Sequence, residues 1–232
     1  YEKTLFNDFG FCIIDECHHI AAEIFSRAFL KINSEYMLGL SATPKRKDGL
    51  SKVFEWYIGP YVYINKKIGD TRTITGNMIY YENNDPIYSK NELNYMGKIC
   101  MPKMISNITN FNRRTLFIFN LIKHIISDKN RYLLVLSDRL DHLKNIGELL
   151  QNSGISDYGY YIGGMKEKQL KNSESKQVLL ATYSMSSEGM DIPSLNTLIL
   201  GSPKSDIEQS VGRILRKDHK GIIPTVYDIV DN

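Results

Sequence analysis

Three continuous apolar runs constrain this chain more than any other feature: YLLVLS (132–137), QVLLAT (177–182) and NTLILG (196–201). Each has the length of a strand and is too short for a helix. None alternates apolar with polar residues, so each is expected to be covered on both faces, as strands of a parallel sheet are. Parallel neighbours need long crossovers, and segments of helical period stand between the runs. RRTLFIFNLIKHIIS (113–127) reads as a helix with Asn112 as its candidate N-cap. DRLDHLKNIGELLQNSG (138–154) reads as another, with Gly154 near its stop. YGYYIGG (158–164) reads as a strand leading into paired glycines, 206–216 as a helix, and PTVYDIV (224–230) as a last strand. Strands alternating with helices give a parallel α/β sheet.

The first third repeats the pattern on a smaller scale. FGFCII (9–14) reads as a buried strand, HIAAEIFSRAFLK (19–31) has helical apolar spacing, and YMLGL (36–40) is a second short strand. Residues 57–100 differ. Gly59-Pro60, Gly69-Asp70 and Asn83-Asn84-Asp85-Pro86 are turn chemistry, with the short β-rich runs VYINKKI and NMIYY between them. This stretch reads as a connector or small insertion between two α/β units.

Composition narrows the class. A net charge of +3 is too mild to argue for nucleic acid by itself. No apolar run approaches the roughly 20 residues a membrane span needs, and the start has no signal-peptide pattern. Three scattered cysteines make no disulfide framework. The expectation is a soluble protein of a reducing intracellular compartment, cytoplasmic or nuclear. The first residue is Tyr1 rather than Met, which suggests a portion of something longer.

Four constellations carry chemistry. Asp15-Glu16 follows the first strand, at the carboxyl end where α/β sheets collect ligands. An Asp there can hold the Mg²⁺ of a nucleotide and a neighbouring acid can orient water. The bland rival is a helix N-terminus decorated with acids. A zinc reading of Cys12, Cys17, His18 and His19 fits poorly, because Cys12 lies inside the strand and adjacent histidines diverge. Ser41-Ala42-Thr43 ends the next strand, either coupling two sites or capping the turn before Pro44. Lys45-Arg46-Lys47 then reads as a solvated face or a phosphate contact. LLATYSMSSEGMDIP (179–193) is a strand and a loop carrying Gly189 and Asp191. In SDIEQSVGRILRKD, Ile207, Val211, Ile214 and Leu215 form an apolar stripe, and Gln209, Arg213 and Arg216 span a face about 60° wide opposite it. Gly212 inside this helix costs about 1 kcal/mol against Ala, which a close contact would justify. An arginine supplied across a cleft stabilises charge on a transferring phosphoryl group; the alternative is an amphipathic helix with exposed arginines.

Taken in order, DECH (15–18), SAT (41–43), LLVLSDR (133–139), TYSMSSEGMDIP and QSVGRILR (209–216) resemble motifs II, III, IV, V and VI of superfamily 2 helicases and translocases of the DExH (DEAH) type. LGLSATPKRKDGL (38–50) with WYIGP (56–60) resembles the DNA-directed group related to XPB, UvsW and the transcript-release helicases of large DNA viruses. The abundance of Ile, Asn, Lys and Tyr agrees with an AT-rich viral source. The resemblance implies α/β architecture with RecA-like parallel sheets: a partial first lobe (1–56), a connector (57–105) and a complete second lobe (106–232). It implies ATP and Mg²⁺ as cofactors and nucleic acid as partner, DNA favoured over RNA, with no membrane.

The resemblance also assigns residues. Asp15 would bind the Mg²⁺ of MgATP, Glu16 would activate the water, and His18 would link the ATP site to the second lobe. Ser41 and Thr43 would couple hydrolysis to strand movement. Gly189 and Asp191 would lie near ATP and ribose. Gln209, Arg213 and Arg216 would face ATP, the two arginines as finger candidates. Thr182, Ser184, Gly163 and Gly164 would lie nearer the nucleic-acid backbone. The family's phosphate loop, G-x-x-x-x-G-K-[ST], does not occur in these 232 residues. The expectation is therefore a helicase whose first half is missing here and whose remainder alone is inactive. The alternatives are a non-catalytic nucleic-acid-binding or partner-docking module, or an RNA helicase.

Overall fold

The computed structural model describes residues 8–18, 26–27, 31–41, 49, 51–64, 73–187, 190–219 and 221–231. It divides into two compact units, Tyr1–Asp70 and Thr71–Asn232. In the first, β1 (Phe11–Ile14) and β2 (Tyr36–Gly39) pair in parallel, Phe11 opposite Tyr36 and Ile14 opposite Gly39. Helix α1 (Ser51–Ile58) follows. Ile14, Met37 and Ile58 pack on the buried Cys17. A Cβ on Gly39 would come within 2.8 Å of Ile58 Cδ1 and 3.0 Å of Cys17 Sγ, so only glycine lets β2, α1 and Cys17 meet. Strand β1 is not buried as expected: Phe11 and Ile13 are exposed, and β2 is its one strand partner among the described residues. The expected helix at 19–31 lies outside the described residues, except Ser26 and Arg27.

The second unit holds a six-stranded sheet: β3 (Thr75–Tyr81), β4 (Leu133–Ser137), β5 (Tyr158–Tyr161), β6 (Val178–Thr182), β7 (Thr197–Leu200) and β8 (Thr225–Asp231). The spatial order is β3-β8-β7-β4-β6-β5, and every pair is parallel. The three apolar runs supply three of the four inner strands, β4, β6 and β7, and their alternate residues feed opposite cores. Leu133, Val135, Val178, Leu180 and Ile199 face one cluster. Leu134, Leu136, Leu179, Ala181, Leu198 and Leu200 face the other. Helices α2 (Met101–Asn110), α3 (Asn112–Ile126) and α4 (Leu140–Asn152) contribute to the first core, through Ile108, Ile118, Ile122, Leu143, Ile146 and Leu150. Each fully buried Leu or Ile stabilises by about 1.5–3 kcal/mol, so this double coverage is the main reason the sheet stands. Helix α5 (Glu167–Glu174), the short α6 (Tyr183–Ser187) and α7 (Glu208–Arg213) complete the unit.

Several expectations change. Within residues 57–105, the compact units divide at 70/71 and β3 hydrogen-bonds along its length to β8. Its Asn-Tyr-rich sequence hides this: only Tyr81 of β3 is fully buried. Asn112 is the first helical residue of α3 rather than its cap, which is Phe111. Gly154 does follow the end of α4, with φ +81°. Helix α7 stops at Arg213 instead of residue 216. The Ile214 and Leu215 amides bond to carbonyls three residues back, which tightens and ends the helix. A Cβ on Gly212 would meet nothing within 4 Å, so close packing is not what keeps this glycine.

Candidate functional site

The end of β1 delivers Asp15 and Glu16 into a tight turn. Glu16 has φ +48°, a conformation uncommon outside glycine, Asn and Asp, and its amide donates to Asp15 Oδ1 at 2.9 Å. The turn then returns to the sheet, where the Cys17 amide donates to Leu40 O at 2.8 Å. The strand ends therefore hold the DECH turn on a fixed footing. Asp15 is exposed. Glu16 Oε2 is buried and, among the described residues, has no hydrogen-bond donor, although His18 Nδ1 lies 3.3 Å away. That nitrogen instead bonds Ser41 Oγ at 2.8 Å, joining the DECH turn to the end of β2. Burial raises the Cys17 thiol above its usual range, which keeps it protonated. Among the described residues no three His, Cys, Asp or Glu side chains gather as a metal cluster. Thr43, His19 and the Lys45-Arg46-Lys47 run lie outside the described residues.

In the second unit the parallel strands bring their carboxyl ends to one rim. Thr182 ends β6, and its Oγ1 lies 3.2 Å from Ser184 Oγ in the first turn of α6. Gly163 and Gly164 form the exposed turn after β5, the neighbouring strand. These four residues share one end of the sheet.

The arginines of α7 part company. Arg213 is 9% exposed. Its Nε donates to Ser186 O at 2.6 Å, one terminal nitrogen to Met190 O at 2.7 Å and the other to Ser187 O at 2.5 Å. It clamps both ends of the Glu188–Gly189 segment, which lies outside the described residues together with the candidate Gly189. Ser186 and Ser210 add a hydroxyl contact at 3.5 Å between α6 and α7. Three donors of Arg213 are turned onto backbone carbonyls of its own unit. Arg216, past the helix end, is exposed and pairs with Asp191. Gln209 is half-buried on α7.

Sequence reasoning missed a second buried cation. Arg114 is 0% exposed and donates Nε and a terminal nitrogen to the two oxygens of Asp231, at 2.5 and 2.8 Å, and its other terminal nitrogen to Gly201 O at 2.6 Å. Tyr88 donates to the same Asp231 carboxylate at 2.8 Å. Burial, then the Asp231 contact, raises the Tyr88 phenol well above its usual range. Beside this network His142 is buried, its Nδ1 3.1 Å from Ser137 Oγ and its Nε2 unpartnered. Burial and the nearby Arg114 push His142 down to about 3. A doubled arginine in Asn-Arg-Arg-Thr at a helix start was the one available signal, and periodicity alone does not turn an arginine inward.

Residues 1–46 match the family model described as "Type III restriction enzyme, res subunit". The chain is 43% identical over its full length to a putative ATP-dependent RNA helicase, L396, of Acanthamoeba polyphaga mimivirus, and covers 45% of that protein. It is 30% identical to the probable helicase D10 of Escherichia phage T5, over 99% of this chain and 51% of D10. The crystal structure of UvsW of phage T4 superposes with a TM-score of 0.54 at 25% identity, over all of this chain and 47% of UvsW. The chain thus spans about half the length of the curated relatives it matches. Its fold is that of RecA-like helicase lobes, and it is related to the superfamily 2 helicases. The relatives it is similar to include UvsW, D10 and a helicase of a large virus.

Proposed function

We propose that this chain serves an ATP-dependent motor that moves along nucleic acid, with DNA as the favoured track. The observation that carries the reading is the 2.8 Å bond from His18 to Ser41, because it links the turn bearing both acids to the end of the neighbouring strand. A change at the acids would pass through it to residues 41–43. Bound MgATP supplies the phosphoanhydride to be cleaved. Asp15 would hold the magnesium ion and Glu16 would orient the attacking water. The buried Oε2 of Glu16, without a donor among the described residues, fits a group that takes a proton from water. Gly189, Asp191 and Gln209 are assigned to the nucleotide. Arg216 is the cation for the triphosphate, while Arg213 shapes the loop that carries Asp191. Thr182, Ser184, Gly163 and Gly164 are assigned to the nucleic-acid backbone, and Thr43 with Ser41 to coupling.

A second reading keeps the motor and changes the track to RNA. The 43% identical mimivirus protein bears an RNA helicase name, whereas UvsW is named as an ATP-dependent DNA helicase. One experiment tests both: ATP hydrolysis by the longer protein carrying a Gly-Lys-Thr loop, with and without single-stranded DNA or RNA, beside Glu16→Gln. The expected result is nucleic-acid-stimulated hydrolysis that Glu16→Gln abolishes, with DNA the stronger stimulant. Stimulation by RNA alone supports the second reading, and equal hydrolysis by the variant removes Glu16 from its role. Residues 1–232 by themselves are expected to hydrolyse ATP negligibly.

A further inference from the structure

Residues 92–100 form a small hairpin that the family motifs do not include. Leu93 and Ile99 make an antiparallel bridge, and the Cys100 amide donates to Glu92 O at 2.8 Å. Between them the Asn94 amide donates to Lys98 O at 2.8 Å, and Asn94 Oδ1 accepts the amides of Met96 and Lys98 at 2.9 and 3.0 Å. The hairpin is pinned to its unit as well. Lys103 Nζ donates to Leu93 O at 2.9 Å, and the Glu92 amide to Met104 Sδ at 3.1 Å. At the tip Tyr95 is 91% exposed, with Met96, Leu93 and Ile99 exposed around it. Ordering a loop costs about 1–2 kcal/mol per residue in backbone entropy, and these side chains return almost none of it by burial. A stiff loop that carries an aromatic ring into water is shaped for a partner.

The chemistry beside the hairpin names that partner. A cleft of about 520 Å³ runs between the hairpin base, α2 and the end of β4, lined by Glu92, Lys103, Ser106, Asn107, Asn110 and Arg139, with Pro102. Arg139 is held in place: Nε donates to Ser106 Oγ at 3.0 Å, and its terminal nitrogens to Pro102 O and Asp138 O at 2.8 and 3.3 Å. That engages three of the five guanidinium N–H groups and leaves two for an anion. Lys103 likewise has ammonium protons to spare, and the one acid of the cleft, Glu92, is neutralised by Lys90 at 2.9 Å. The cleft opens at the end of β4, and β4, β6 and β5 are adjacent in that order. The hairpin, Arg139, Thr182 with Ser184, and Gly163 with Gly164 thus lie along one rim. An apolar protein partner would use the tip and leave the cations without purpose. A polymer with flat bases and regular phosphates uses both.

We infer that the 92–100 hairpin and its cleft form a single-stranded nucleic-acid subsite, in which a base stacks on Tyr95 and a phosphate sits between Lys103 and Arg139. The inference deepens the motor reading and rests on it. The test is fluorescence anisotropy of labelled oligo-dT and oligo-U with the full 232-residue chain over a salt series. Tyr95→Ala is expected to weaken binding roughly 5- to 100-fold, the range of a lost base stack, and Tyr95→Phe to restore it. Lys103→Ala should lower the slope of log affinity against log salt by about one phosphate contact. A Tyr95→Trp, Trp56→Phe double variant should lose emission when either oligonucleotide is added, because a base then lies on the ring; oligo-dT and oligo-U separate the two tracks. Binding that ignores Tyr95 and Lys103, with unchanged emission, overturns this inference alone. No binding of any oligonucleotide by the unsubstituted chain overturns it together with the nucleic-acid part of the motor reading.

Discussion

Arg213 Nε donates to the carbonyl of Ser186 at 2.6 Å, from a helix whose sequence suggested an arginine aimed at a ligand. Only three residues later, Arg216 is exposed and its one ion-pair partner, Asp191, is exposed too. One helix end thus holds a structural cation and an available one.

The two arginines should separate experimentally. Arg213→Ala strips three carbonyls of their donor in a buried setting, each costing about 1–3 kcal/mol if left unsatisfied, and is expected to destabilise by about 3 kcal/mol or more. Arg216→Ala breaks an exposed pair, which is worth about 0–1 kcal/mol. Thermal unfolding of both variants of this chain measures the difference. In the longer protein, Arg216→Ala should cost hydrolysis with little loss of stability. Equal unfolding temperatures for the two variants would remove the distinction.

Arg114 and Asp231 make the same kind of test in the sheet. Arg114→Ala removes the cation paired with the Asp231 carboxylate, which keeps only the Tyr88 hydroxyl, and takes the guanidinium donor from Gly201 O; it should cost about 3–5 kcal/mol. Tyr88→Phe removes one hydrogen bond to the same carboxylate and should cost about 1–2 kcal/mol. The pair shares Asp231, so a double-mutant cycle by urea denaturation is expected to show non-additivity.

His142 gives the chain a pH dependence of known sign. Its folded value, about 3, lies below the ordinary 6.5, so the unfolded state binds the extra proton between those values. Stability contributed by the neutral ring is complete above about pH 6.5 and is lost as pH falls toward 3. Unfolding temperature should fall with acidification across this window, and His142→Gln should flatten that part of the curve. A wild-type slope retained in the variant assigns the effect to other groups.

Gly147 sits where α4 crosses Tyr160, and an added Cβ would lie 1.9 Å from the phenol oxygen. Gly147→Ala is expected to destabilise by about 1–3 kcal/mol through overpacking. Tyr160→Phe should relieve only part of this, because the ring carbon behind the oxygen is itself 2.8 Å away. Urea midpoints of the three variants measure it.

Much of this fold was legible before any coordinates. The unbroken apolar runs at 132–137, 177–182 and 196–201 became β4, β6 and β7, each covered on both faces. The apolar stripe of Ile207, Val211, Ile214 and Leu215 packs where its spacing put it. Less was legible where side chains are polar. NMIYY sat in an apparent connector, yet it forms the β3 ladder through its backbone, which polar side chains do not reveal. The role of Arg213 was unreadable for a related reason. Its partners are carbonyl oxygens of residues 186, 187 and 190, and every residue has a carbonyl.

The sequence alone determined the parallel α/β class and the placing of acids, hydroxyls and glycines at strand ends. Those depend on apolar period and on turn chemistry, which are local in the chain. Only the tertiary structure decided which charges are buried and spent, as Arg114 and Arg213 are, and which stay available, as Arg216 and Arg139 do. Desolvation and hydrogen-bond partners belong to the neighbours that folding brings together, and no stretch of residues carries them by itself.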